Sequence, residues 1–523
     1  MKIKMLKNVM ACLVAAAMLV SFAACGEKPK DNESLVSSDI VSTEASSEAK
    51  EESSSKAETS SKAETSSNNE ISSKADEVET SSESTSTSSR TSVVRPNNNT
   101  NNTSSESDVD NSKYRLDYTF RNSKYKDEYY NRGGIYNTLY KLHKGEEVTL
   151  AYIGGSITQM KGWRNFTTEY FENNYSGKIN EIEIAVAGTN ADLGVCRIDD
   201  EVLAYDPDLV FVEYASNGGD AKHVEGIVLK IWENDPTTDI CFIYTSATNY
   251  YATHYAQGKL PPFPEMSEKI ADYYDIPSVF FGKQAFDMYE AGELVLDGAA
   301  EPRKILYTSD KTHPTEAGHL LGAGAVARSV VNMEKNFDKD SYSIKNHAVK
   351  SATYDKSPWV NASQSTDWSK MKFSGEWVTC PLDANGIYTD FGYAVTSNAI
   401  KKTIKELKGT RTPGSSVTVK FRGTEIGFVE LGSSFSGQLK VTVDGVDKGV
   451  LEIYDKVYDK ELRVEYFFID SLPYGEHTVT FTLDSAMPDK SALQSKYPND
   501  KNFEKTEFYL NRILVNGELL DAH

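Results

Sequence analysis

The chain has 523 residues, with 77 acidic against 56 basic side chains and a formal net charge of −21. That length is too great for one ordinary domain and suggests roughly two to four. An acidic balance with no Lys/Arg-rich stripe excludes an electrostatic nucleic-acid binder; its plain meaning is a soluble surface.

Lys2, Lys4 and Lys7 precede an apolar stretch from Val9 to Phe22 that is too short for a comfortable membrane span. The small residues of "FAAC" follow and end at Cys25. This pattern resembles a bacterial lipoprotein signal, with Phe22 where leucine is usual. The resemblance implies a signal peptide over residues 1–24, cleavage before Cys25, and a diacylglyceryl group on its sulfur. Two acyl chains would anchor the protein firmly to the membrane at the extracellular bacterial surface, where one would not. Ordinary secretion is the alternative. Cys12 leaves with the signal, so Cys196, Cys241 and Cys380 remain of the 5 cysteines. Their wide spacing gives neither a disulfide framework nor a CxxC metal pattern. Cys241, in "DICFIYT", reads as a small core residue.

Residues 25–113 are of low complexity, dominated by Ser, Thr, Glu, Asn and Lys, with "SSKAET" twice in tandem. Such a segment cannot bury enough apolar surface to offset its ordering entropy. It reads as a disordered tether, with a random-coil span of about 50 Å.

Over residues 114–340 short apolar runs alternate with amphipathic segments. "EVTLAYI", "INEIEIAVAG", "DLVFVEYA", "DICFIYTSA" and "PSVFF" read as strands. "WRNFTTEYFENNY", "LGVCRIDDEVLAY", "AKHVEGIVLKIWE", "PEMSEKIADYY" and "TEAGHLLGAGAVARSVVNM" read as helices. The alternation predicts βαβ units around a parallel sheet covered on both faces, a three-layer α/β/α fold. Over residues 345–523 the period changes to two, in "SVTVKF", "EIGFVEL", "QLKVTVD", "LRVEYFFI", "EHTVTFTL" and "EFYLNRILVNG", with turn signals between. This predicts an antiparallel β-sandwich, jelly-roll-like.

Sites in open parallel sheets lie beyond the carboxyl ends of the strands. Four stretches fall there: "GGSIT" with Ser156, "AVAGTN" with Gly188, "VEYASNGGD" with Asn217, and "SDKTHPTEAGH" with Asp310 and His313. Together they make an acyl-transfer set. A serine hydroxyl needs a base, and a histidine supplies one. The histidine's other nitrogen needs an acceptor to fix its tautomer, and Asp310 lies three residues away. The oxyanion needs donors: the N–H of Ser156, the N–H of Gly188 and the Asn217 amide.

At these residues the sequence resembles the SGNH (GDSL-type) hydrolase superfamily, over about residues 114–335. Ser156 matches its nucleophile, Gly188 and Asn217 its oxyanion donors, and Asp310 and His313 its D-x-x-H pair. The resemblance implies serine ester hydrolysis through an acyl-enzyme, with no metal and no cofactor. Gly218 follows Asn217 where aspartate is usual, Asn190 stands where small residues are common, and Thr315 replaces a frequent asparagine; these leave the substrate fit open. Thr158 and Gln159 after Ser156 break the G-x-S-x-G nucleophile elbow. A weaker resemblance links the sandwich to the jelly-roll partners of two-domain carbohydrate esterases.

Each residue has a plainer reading. Ser156 alone would more often be a turn or a helix cap, and Asp310 could simply cap a turn. Asn217 could be an ordinary loop residue, and Gly188 could serve only its turn. His319 reads as packing in the last helix, Glu213 as core or as an acceptor behind the site, and Trp163 and Arg164 as packing or pocket lining. Trp359, Trp368 and Trp377 would stack on sugar if exposed, but a buried indole is the commoner case. The order of the four stretches favours a serine esterase; the export signal, the tether and the sandwich point to acyl groups, acetyl foremost, on extracellular polysaccharide as its substrate. The alternatives are a non-catalytic glycan-binding surface lipoprotein and an esterase acting on cell-wall or lipid esters.

Overall fold

The computed structural model describes residues 128–354, 358–383, 386, 388, 404–456 and 461–523; the signal-like segment, Cys25 and the low-complexity segment lie outside the described residues. The α/β part runs β1 (Tyr129–Tyr130), α1 (Tyr136–His143), β2 (Val148–Gly154), α2 (Ser156–Gln159), α3 (Trp163–Asn174), β3 (Ile179–Glu183), α4 (Ala191–Glu201), β4 (Leu209–Glu213) and α5 (Ala221–Asn234). It continues through β5 (Asp239–Tyr244), α6 (Asn249–Thr253), α7 (Pro262–Tyr274), β6 (Ser278–Phe280), α8 (Phe281–Glu290), the short pair β7 (Leu294–Val295) and β8 (Ile305–Leu306), and α9 (Glu316–Glu334).

The main sheet has the order β1-β6-β5-β4-β2-β3. Its strands are parallel except β1, which pairs antiparallel with β6. Alternate residues of the central strands feed two cores. Ala151, Ile153, Val210, Val212, Ile240 and Phe242 pack against α4, α5 and α7. Leu150, Tyr152, Leu209, Phe211, Cys241 and Ile243 pack against α1, α3 and α9. Burial on both faces explains why these strands are apolar over most of their length. β3 is the exception: it lies at the sheet edge and is half-buried along its length. β2 lies between β3 and β4, so the direction of winding reverses there. That reversal opens a crevice at the carboxyl ends of β2 and β4.

The chain then returns across α5. His347 stacks on Trp232 with centroids 5.0 Å apart and meets Asp239 at 2.9 Å. The Glu225 carboxylate accepts from Thr353 N and Oγ1 and from Tyr354 N. The β-rich part follows as β9 (Ala362–Ser365), β10 (Lys372–Ser374), β11 (Val378–Pro381), β12 (Glu406–Thr410), β13 (Ser416–Gly432), β14 (Gln438–Val443), β15 (Val446–Glu452), β16 (Arg463–Phe468), β17 (Gly475–Leu483) and β18 (Phe508–Leu520). All its ladders are antiparallel.

β13 is 17 residues long and serves both ends of this β-sandwich. Its first half pairs with β17 and its second half with β16, while β18 runs along its other edge. A bulge between Gly423 and Glu425 marks the change of partner. Val417, Val419, Phe421, Phe428, Val441, Phe481 and Ile513 make the interior. The two parts share a core: Trp359, Ala362, Val429 and Leu514 belong to the same apolar cluster as α4 and α5. Arg512 pairs with Glu201 at 3.0 Å and Lys222 with Glu425 at 3.3 Å across the contact.

Candidate active site

β2 ends at Gly154, and Ser156 opens the four-residue α2 with Gly155 as its N-cap. Ser156 is therefore the first helical residue and not the cap, so its N–H has no partner within the helix. Its Oγ lies 2.8 Å from His313 Nε2. His313 Nδ1 lies 2.7 Å from Asp310 Oδ2. A carboxylate only accepts, so Nδ1 donates and Nε2 is left to accept from the serine hydroxyl. Ser156 and His313 are both buried.

The Asp310–His313 loop is closed by its own bonds. Asp310 Oδ1 accepts from His313 N at 2.7 Å and from Thr312 N at 3.0 Å. Thr308 bridges to Pro314, and Lys311 takes a φ of 73° to complete the turn. Burial works to raise the Asp310 carboxyl, but the His313 and Thr312 donors hold it below its ordinary value. Thr315 caps α9, its Oγ1 accepting from Gly318 N at 3.2 Å. Thr315 thus starts the helix that follows His313.

Gly188 has a φ of 77°, and a Cβ on it would meet open space. Thr189 N and Oγ1 both donate to Val186 O, at 3.4 and 2.8 Å. A positive φ at the third position is the type II pattern, which turns the central amide, the one carrying the Gly188 N–H, away from the turn's own hydrogen bond. Asn217 is buried and packs on Gly155, at the end of β2: a Cβ on Gly155 would lie 2.6 Å from the Asn217 Cγ. Glycine is needed there for the carboxamide to approach. Gly218 and Gly219 follow with φ of 105° and 128°, and the chain turns from there into α5.

Behind Ser156 stands Glu213, fully buried. Its carboxylate accepts from Thr158 Oγ1 at 2.8 Å and Thr245 Oγ1 at 2.6 Å. Burial raises its carboxyl; these hydroxyls and two backbone amides offset part of that. Arg164 Nε donates to Thr158 O at 3.1 Å, and its guanidinium pairs with Glu181. Glu213 and Arg164 thus hold α2 from two sides. The sequence leaves both ambiguous; the signal that could find Arg164 is a cation in the first turn of α3, six residues after Thr158. Trp163 is core, packed on Tyr152, Phe211 and Phe281. His319 is buried against Gly162 and driven down to about 4, first by burial and then by the nearby His313. Trp359 is buried between the two parts, stacked edge-on to His223 and Phe468. Trp368 and Trp377 are half-buried against the sandwich interior.

The fold and this site define a three-layer α/β part carrying a serine–histidine–aspartate set, joined to a β-sandwich. No protein-family model matches the chain, and no curated protein matches it. Among solved structures, it is similar to a two-domain esterase (CEX) active on acetylated mannans, co-crystallized with mannopentaose. The TM-score is 0.57 at 19% identity, over 77% of this chain and 100% of that one. A second structure of that esterase gives the same figures. An acetyl xylan esterase from Geobacillus stearothermophilus aligns with 35% of this chain and 94% of its own, at 17% identity and a TM-score of 0.27. The likeness to the two-domain esterase is one of fold and extends over both parts. The α/β order and the placing of the four site loops agree with the SGNH resemblance.

Proposed function

We propose that this chain is a serine esterase that removes acyl groups, acetyl foremost, from extracellular polysaccharide. One observation carries the reading: Ser156 Oγ, His313 and Asp310 stand in hydrogen-bonded series at 2.8 and 2.7 Å. His313 Nε2 takes the Ser156 proton as Oγ bonds to the ester carbonyl carbon. The carbonyl oxygen becomes anionic and is met by the N–H of Ser156, the N–H of Gly188 and the Asn217 amide. The tetrahedral adduct collapses, the bond to the sugar oxygen breaks, and that oxygen takes the proton from His313. Water then gives a proton to His313 and attacks the acyl carbon. Collapse of the second adduct returns the proton to Ser156 and releases the acid. Asp310 keeps Nδ1 protonated and stabilises the imidazolium in both halves.

The polysaccharide substrate is supported by the fold shared with an esterase active on acetylated mannans. Export and anchoring through a lipid on Cys25 rest on the sequence pattern of residues 1–25. The test is acetate release from acetylated mannan and acetylated xylan. Turnover by the wild type and none by Ser156→Ala is the expected result. If the wild type releases no acetate from these polymers or from any small acetyl ester, the non-catalytic glycan-binding reading takes its place.

A further inference from the structure

Tyr466 lies on β16, in the sandwich, yet its hydroxyl reaches the α/β part. It donates to Asp192 Oδ1 at 2.8 Å and accepts from Asn190 N at 3.2 Å. Asn190 is the N-cap of α4 and stands two residues after Gly188. Asp192, in the first turn of α4, is buried, and its Oδ1 also accepts from Leu193 N at 2.8 Å. The same helix start touches the second oxyanion loop. Ala191 N donates to Gly218 O at 3.2 Å, and a Cβ on Gly219 would lie 2.9 Å from Ala191 Cβ. One hydroxyl thus ends a path that runs through the start of α4 to both Gly188 and Asn217.

The rest of β16 keeps this hydroxyl in place. Phe468 packs on Trp359, which packs on His223 in the first turn of α5. Lys222 in that turn pairs with Glu425 of β13. The sandwich therefore grips the starts of both α4 and α5, the helices that follow the two oxyanion loops.

We propose that Tyr466 is a positioning residue: through its hydroxyl the β-sandwich sets the orientation of the Gly188 and Asn217 donors. This rests on the esterase reading above. An oxyanion exists only in the tetrahedral states, so a displaced donor loop lowers kcat and leaves KM nearly unchanged. A shift well under 1 Å at such a loop is expected to cost about tenfold in rate.

The experiment is steady-state kinetics of Tyr466→Phe on p-nitrophenyl acetate and on acetylated mannan. The ring packing survives, so the melting temperature should stay close to that of the wild type. The expected result is a kcat about tenfold lower on both substrates with KM within about twofold, the shared factor following from an effect on the oxyanion rather than on the glycan. Asp192→Ala removes the other end of the bond and should give a similar loss. The double variant should be no worse than the poorer single one, because both break one linkage. A folded Tyr466→Phe with wild-type kcat overturns the proposal, as does a loss confined to KM for the polymer or strict additivity in the double variant. If Tyr466→Phe does not fold, Asp192→Ala decides: lowered kcat supports the proposal and wild-type kcat overturns it. A wild type that hydrolyses no acetyl ester removes the esterase reading itself, an outcome distinct from the others.

Discussion

The two halves of the site are built differently. The base and its partner occupy one short loop: Asp310, Thr312 and His313 bond to one another, and the Thr308–Pro314 bridge closes the loop. On the proposed reading the oxyanion half is assembled from three segments, around Ser156, Gly188 and Asn217, and is buttressed by Glu213, by Arg164 and by Tyr466 from the β-sandwich. A self-contained loop needs little from its surroundings. A donor cradle drawn from distant segments needs every helix that follows it to be held.

This contrast orders the expected effects. Asp310→Asn should strike hardest among these variants. It leaves the geometry in place but offers the wrong partner to Nδ1, so kcat should fall by about 10³–10⁴ with KM nearly constant. The stability effect has a defined sign. The Asp310 carboxyl is held below its ordinary value in the folded state, so its contribution is present above the unfolded carboxylate pKa and is lost as pH falls through the folded one. Thermal melts of wild type and Asp310→Asn should therefore differ most near neutrality and converge below about pH 4. A gap that widened in acid would break the account of the loop.

Asn217→Ala should come next, with kcat down about 10²–10³, the cost of one lost oxyanion donor. Gly188→Ala should be milder, about tenfold in kcat, since a Cβ there meets open space and only the left-handed φ resists it, at about 1–2 kcal/mol. Steady-state kinetics on a small acetyl ester reads both. Equal losses for Gly188→Ala and Asp310→Asn would mean that the two halves are equally brittle.

The legible part of the protein follows the same division. β2, β4 and β5 stand out as largely apolar runs because both faces of the sheet are covered. Asp310 and His313 were recognisable because their interaction spans only three residues. β1 escaped notice because two residues carry no period, and α8 because it starts at Phe281 directly after β6, with no turn between. Arg164 and Tyr466 act through tertiary contacts: one reaches a backbone carbonyl six residues back, the other an element 274 positions away. Tyr466 sits in "LRVEYFFI", where its aromatic neighbours make it look like any strand residue. Trp359 reads in sequence like the other sandwich tryptophans, yet it fills the shared core, a placement that depends on how the sandwich packs on α4 and α5.

On the esterase reading, Ser156 is a nucleophile activated by His313. Labelling of the full chain with a fluorophosphonate probe tests it most directly. Covalent labelling of the wild type at Ser156, read by peptide mass spectrometry, is the expected result, with none in Ser156→Ala. A folded wild type that takes up no label, or label carried equally by Ser156→Ala, would contradict it.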